Sequence, residues 1–145
     1  MLPENIQLIV VTPERQLLRE TVVEVQLPGA DGYLGVLPGH APLITELGIG
    51  ELSYKPVGNA EPTVLAIMRG FAEVLQDRVT VLAETAERAA EIDLARAERA
   101  LKRAQERVSS GDPNLDWDRV TISLQRALIR VQVARKYRGV PVQQA

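Results

Sequence analysis

Cysteine is missing from the 145 residues, and histidine occurs only once, at His40. Without thiols there is no disulfide framework, no thiolate nucleophile and no thiolate metal site, and the chain suits a reducing, cytosol-like compartment. A lone histidine completes neither a catalytic triad nor a zinc ligand set, so neither a catalytic group nor a bound metal is expected. Aromatic side chains number five, one Phe, one Trp and three Tyr, too few to interleave with arginines as nucleic-acid binders do. Long apolar runs are lacking as well. The stretch at 6–11 falls far short of the roughly 18 residues that cross a bilayer, and no charged-then-apolar leader opens the chain. Together these absences predict no export address, no direct membrane insertion, no nucleic-acid partner and no chemistry of the chain's own.

What the sequence does hold is two different periodicities. Up to about residue 84, short runs of Val, Ile and Leu are broken by Gly and Pro every 8 to 12 or so residues, the rhythm of an antiparallel β-sandwich or barrel. Strands are expected over 6–12, 17–27, 33–37, 41–47, 51–55, 63–69, 70–75 and 78–83. Alternation is clearest at 21–27, where Val23, Val25 and Leu27 should share the inward face because successive side chains flip sides. Gln76, Asp77 and Arg78 read as the turn of a closing hairpin.

After Thr85 the period lengthens. Ala90, Leu94, Ala97, Leu101, Ala104 and Val108 recur at spacings of three and four, which puts them on one stripe of a long helix. Gly111 can adopt the left-handed conformation that closes it, and Asp112 or Asn114 can cap the next. A second helix carries Trp117, Val120, Leu124, Leu128 and Val131 on its apolar side, with basic residues in its last turn that suit the helix dipole. The domains expected are therefore 1–84, a β-sandwich, and 85–145, an antiparallel hairpin of two helices each longer than 20 residues. The first helix offers mainly alanine to the seam, which buries little area per residue. Such a hairpin is expected to part readily.

Charge divides at the same place, with a net −6 up to residue 84 and +4 beyond it, so a basic C-terminal arm is suited to something acidic. Arginines at 96, 99, 103 and 107 lie along the first helix, and Arg126 and Arg130 stand one turn apart on the second, a geometry that lets several guanidinium groups face one phosphate. Glycines at 29, 32 and 35 match neither the dinucleotide fingerprint nor the phosphate loop; they read as tight turns and a bulge between strands.

The stretch LPGADGYLGVLPGHAPL at 27–43 resembles the signature of the epsilon subunit of F-type ATP synthases. The similarity continues through LGIGEL at 47–52, GFAEV at 70–74 and VTVLAETA at 79–86 into the helical hairpin. The resemblance implies a flattened β-sandwich of about ten strands that sits in the rotor beside the gamma subunit and on the polar loops of the c-ring. It also implies a non-catalytic, regulatory role in which the hairpin folds back or extends to block ATP hydrolysis, meeting an acidic segment of the beta subunits.

Carried over by position, the resemblance makes Asp31, Tyr33 and His40 contacts of the sandwich with gamma and the ring. Ile92, Asp93 and Arg96, in the run Ile-Asp-Leu-Ala-Arg-Ala, match a motif through which some bacterial members bind ATP, and Arg103, Arg126 and Arg130 fall where that site has its other arginines. No cofactor is required; regulatory ATP is the ligand implied. Arg126, Arg130, Arg135, Lys136 and Arg138 form the basic helix assigned to inhibition. The location implied is peripheral, on the cytoplasmic or stromal side of an energy-coupling membrane, plasma membrane or thylakoid. The alternative reading is a free-standing ATP-sensing module whose helices close on nucleotide.

Overall fold

The structure, a computed structural model, describes residues 1–58 and 61–137. Its Cα framework divides into a first compact unit, Met1–Glu87, and a second beginning at Arg88.

Six strands build the first unit: β1 (Ile6–Val11), β2 (Gln16–Gly29), β3 (Gly32–Val36), β4 (Leu43–Pro56), β5 (Thr63–Val74) and β6 (Arg78–Arg88). They run in the order β1-β6-β5-β4-β2-β3, and an additional β1–β2 pairing closes five of them on themselves, with β3 attached outside β2. All the ladders described pair antiparallel except β1 with β6, which is parallel. Closure matters physically, because it leaves a small sheet fewer open edges to pair with foreign strands. Leu8, Val10, Val25, Leu52, Leu65, Ile67, Val79 and Val81 fill the interior. Alternation is complete in β1, where Ile6, Leu8 and Val10 are buried and their neighbours half-buried.

Eight stretches separate in the sequence become six strands because β4 and β5 run on through interruptions. In β5 the break expected between residues 69 and 70 is a bend inside one strand, where Arg69 has φ 62° and Gly70 has φ 133°. A Cβ at position 70 would overlap the Leu82 carbonyl oxygen, so the close approach of β5 to β6 requires glycine there. The inward face of β2 also differs from expectation. Val25 and Leu27 are buried, but Val22 takes the third inward place and Val23 is only half-buried. A register shift between Val22 and Glu24 on the ladder to β4 accounts for this, since an extra residue in one strand flips every side chain before it. The turn expected at 76–78 is present, closed by the Leu75 N–H donating to the Arg78 carbonyl at 2.8 Å.

The second unit contains α1 (Leu94–Ser109) and α2 (Trp117–Tyr137), preceded by a single 3-10 turn, Ala89–Glu91. At 16 residues α1 is shorter than the sequence period suggested. Strand pairing holds β6 extended to Arg88, the 3-10 turn follows, and Asp93 opens the helix in extended conformation with its carboxylate accepting the Arg96 N–H at 3.1 Å. Ala90 therefore lies before the helix and is exposed, while Ala89 is buried. The helix closes through Gly111, whose φ is 70°. The cap of α2 is Asp116, which accepts from the Arg119 N–H at 3.2 Å. Asp112 instead holds a local turn by accepting from the Asn114 N–H at 2.9 Å. On α2 the buried residues are Val120, Ala127, Ile129, Val131, Val133 and Ala134, with Trp117 and Leu128 exposed. The apolar surface is thus broader and differently centred than the single stripe read from spacing.

Candidate functional site

On the β unit, the three residues singled out by sequence cluster around β3. Asp31 is exposed in the two-residue turn between β2 and β3, whose ends pair as Gly29 with Gly32. Tyr33 is 59% exposed on β3, yet its hydroxyl accepts the Glu51 N–H of β4 at 3.3 Å. Its phenol therefore braces the sheet while its ring faces outward. His40 is half-buried in the turn after β3, where its backbone N–H donates to the Leu37 carbonyl at 3.1 Å and its Nδ1 lies 2.7 Å from the Ala41 carbonyl oxygen. A carbonyl oxygen can only accept, so Nδ1 is the donor in that contact.

Sequence reasoning missed the apolar side chains that accompany them. Leu37 is 60% exposed and Ile44 73% exposed, although Ile44 sits in a strand whose pattern gives no reason to expose it. Phe71 and Leu82 are also more than half exposed, and they help line an apolar hollow of 380 Å³ with Val11, Pro13 and Gly70. Phe71 and Leu82, exposed together at that hollow, are the kind of large apolar side chains that mark contact with another macromolecule. Alternation alone cannot signal this, because the same pattern describes a strand whose second face meets a partner.

The hairpin brings three of the predicted arginines together. Arg103 of α1 and Arg126 and Arg130 of α2 line one groove of 360 Å³ between the helices, and Arg107 joins them. Ala100, Ala104, Ser123 and Ala127 complete the lining, and their small side chains are what leave the space open. No carboxylate and no aromatic ring lines this groove among the described residues. Arg107 was legible as a helix-face residue, four positions after Arg103; only the crossing of the helices makes it part of the same site.

Ile92, Asp93 and Arg96 are not in that lining. Ile92 is buried, and one Asp93 oxygen is engaged as the N-cap of α1, through the backbone of Arg96. The motif thus has a local structural role in starting the helix. Of the basic residues on α2, Arg135 bridges the hairpin, its Nη2 lying 3.1 Å from Glu98 Oε1 of α1. Lys136 is exposed, and Arg138 lies outside the described residues. No helix of the described residues is long and apolar enough to cross a membrane.

A closed β unit followed by an antiparallel helical hairpin is the architecture of a two-domain ATP synthase chain. A family model described as the beta-sandwich domain of the ATP synthase delta/epsilon chain matches residues 5–89, and one described as its long alpha-helix domain matches 90–135. The ATP synthase epsilon chain of Solibacter usitatus is 48% identical over 135 residues, covering 93% of this chain and 99% of that one. That of Koribacter versatilis is 55% identical over 104 residues, 72% of each. Among solved structures, a chain of the Euglena gracilis mitochondrial ATP synthase (OSCP/F1/c-ring, rotational state 1) superposes with a TM-score of 0.75 at 26% identity, over 86% of this chain and 78% of that one. The chain belongs to the ATP synthase delta/epsilon family, among the epsilon subunits of the F-type complex, and is a rotor subunit rather than an enzyme in itself.

Proposed function

We propose that this subunit has no active site of its own and works in the central stalk as a coupling and braking element. Its β unit grips the gamma subunit and the polar loops of the c-ring, and its hairpin restrains ATP hydrolysis. The end-to-end match to epsilon chains carries this reading, since both units are matched and not the β unit alone. Asp31, Tyr33 and His40, with the exposed Leu37 and Ile44, supply a mixed polar and apolar contact of the kind rotor partners require. The subunit is peripheral, on the cytoplasmic or stromal side of the membrane.

The hairpin suits a switch because the residues that α1 buries are alanines, Ala97 and Ala104. Arg126, Arg130 and Lys136 give α2 a basic side for an acidic segment of the beta subunits, and separation of the helices would also free Arg135 from Glu98. A population change of tenfold needs only about 1.4 kcal/mol, which ordinary partner contacts supply. ATP is the regulatory ligand we assign to the hairpin, its phosphates facing Arg103, Arg126 and Arg130, with Ile92, Asp93 and Arg96 acting through the start of α1.

The test is truncation in the assembled complex. A chain ending after Arg88 keeps every strand of the β unit; it should retain binding to gamma while ATP hydrolysis by the head rises severalfold. Loss of gamma binding, or unchanged hydrolysis, would refute this division of roles.

A further inference from the structure

On both helices of the hairpin basic side chains outnumber acidic ones, so packing the two side by side sets like charges against each other. Against that background Glu98 is an exception. It is one of two acidic residues on α1, and it meets Arg135 in the last turn of α2, with Nη2 3.1 Å from Oε1. The arginine side chain is 19% exposed and the glutamate 44%, so the guanidinium is largely covered while the carboxylate still reaches water.

The contact uses little of what the guanidinium offers. One nitrogen, Nη2, engages one carboxylate oxygen, and Nε is buried with no hydrogen-bond partner among the described residues. An arginine binds a carboxylate best through two parallel N–H donors, and a buried donor left unmet costs free energy in the closed hairpin. Glu98 thus balances the charge of Arg135 without matching its fork. A carboxylate of another chain, free to approach the Nε edge once the helices part, would make the bond that Glu98 does not.

We infer that Glu98 is an internal competitor for the brake. It occupies Arg135 while the helices are together, and the same guanidinium turns to a carboxylate of the partner when they separate. Glu98 thereby sets the strength of inhibition without touching the partner. This rests on the reading of the hairpin as a brake on ATP hydrolysis whose second helix meets an acidic segment. The sign of the consequences distinguishes it from a pair that merely staples the hairpin shut. A staple would give the same sign whichever partner is lost; a competitor strengthens the brake when Glu98 is lost and weakens it when Arg135 is lost.

ATP hydrolysis by the assembled complex tests this with four forms of the chain: Glu98→Gln, Arg135→Ala, both together, and the chain ending after Arg88. Glu98→Gln keeps the size of the side chain and removes its charge. The ratio of inhibited to active complexes should then rise about two- to fivefold, the range of a partly exposed ion pair. Arg135→Ala should raise hydrolysis above the parent. The double variant should match Arg135→Ala, because without the guanidinium Glu98 has nothing to compete for. Unchanged or weaker inhibition in Glu98→Gln, inhibition in Arg135→Ala no weaker than in the parent, or a Glu98→Gln effect of full size in the Arg135→Ala background would each overturn the inference. If the chain ending after Arg88 leaves hydrolysis at the parent level, the brake reading itself fails. If that truncation raises hydrolysis and the Glu98 outcomes fail, only the competitor is removed.

Discussion

In the β unit the buried side chains are large. Ile6, Leu8, Leu27, Leu47, Leu52 and Leu65 are at most 2% exposed, and each such side chain contributes about 1.5–3 kcal/mol of burial. In α1 the buried residues are Ala97 and Ala104, whose single methyl groups contribute under about 1 kcal/mol each. A cross-helix ion pair in the hairpin, Arg135 with Glu98, is of a partly exposed kind worth at most about 1 kcal/mol. Among the described residues, Arg135 Nε is buried with no hydrogen-bond partner, which offsets part of that gain. The lesson is that one chain holds a closed barrel filled by large side chains and a hairpin to which α1 brings buried alanines and α2 brings Val120, Ile129, Val131 and Val133, so that α1 is the lightly held element. A brake requires that second property; an anchor requires the first.

The contrast can be attacked from either side. Gly70→Ala should have the largest effect, because it forces an L residue into a positive-φ bend and against the Leu82 carbonyl. A loss of about 3 kcal/mol or more is expected, read as a fall in the denaturation midpoint of the β unit. A fully stable Gly70→Ala variant would mean that the bend is soft and the barrel less tightly specified than its packing indicates.

Asp93→Ala should be smaller and confined to the other unit. Removing the N-cap costs about 1 kcal/mol of α1 stability, visible as faster amide exchange over 94–109 with the β unit unaffected. Asp93→Asn, which keeps an acceptor for the Arg96 N–H, should lie within a few tenths of a kcal/mol of the parent. If Asn were as damaging as Ala, the carboxylate charge rather than the cap would be the property that matters.

Much of this was legible from spacing. The strand at β1, the turn at 76–78, the hairpin and the close of α1 at Gly111 follow from local pattern, and local pattern is what a sequence displays. The departures all have non-local causes. Val22 replaced Val23 on the inward face because of a register shift against β4, a partner some thirty residues away. The segment 85–93 is composed like a helix, but strand pairing and then the Asp93 cap delay the helix to Leu94. Asp116 rather than Asp112 caps α2 because Asp112 closes its own local turn. The arginine groove was legible in part: spacing let arginines of both helices face one phosphate, but only the helix crossing selects Arg103, Arg107, Arg126 and Arg130 and leaves Arg96 and Arg99 outside the lining.

Native-state hydrogen exchange on the full chain measures the contrast directly. Amides of α1 should open by a local route and exchange well before those of β1 and β5, which open only with global unfolding. Equal protection in the helix and in those strands, lost together in one cooperative step, would contradict the claim that the hairpin is a separately opening part.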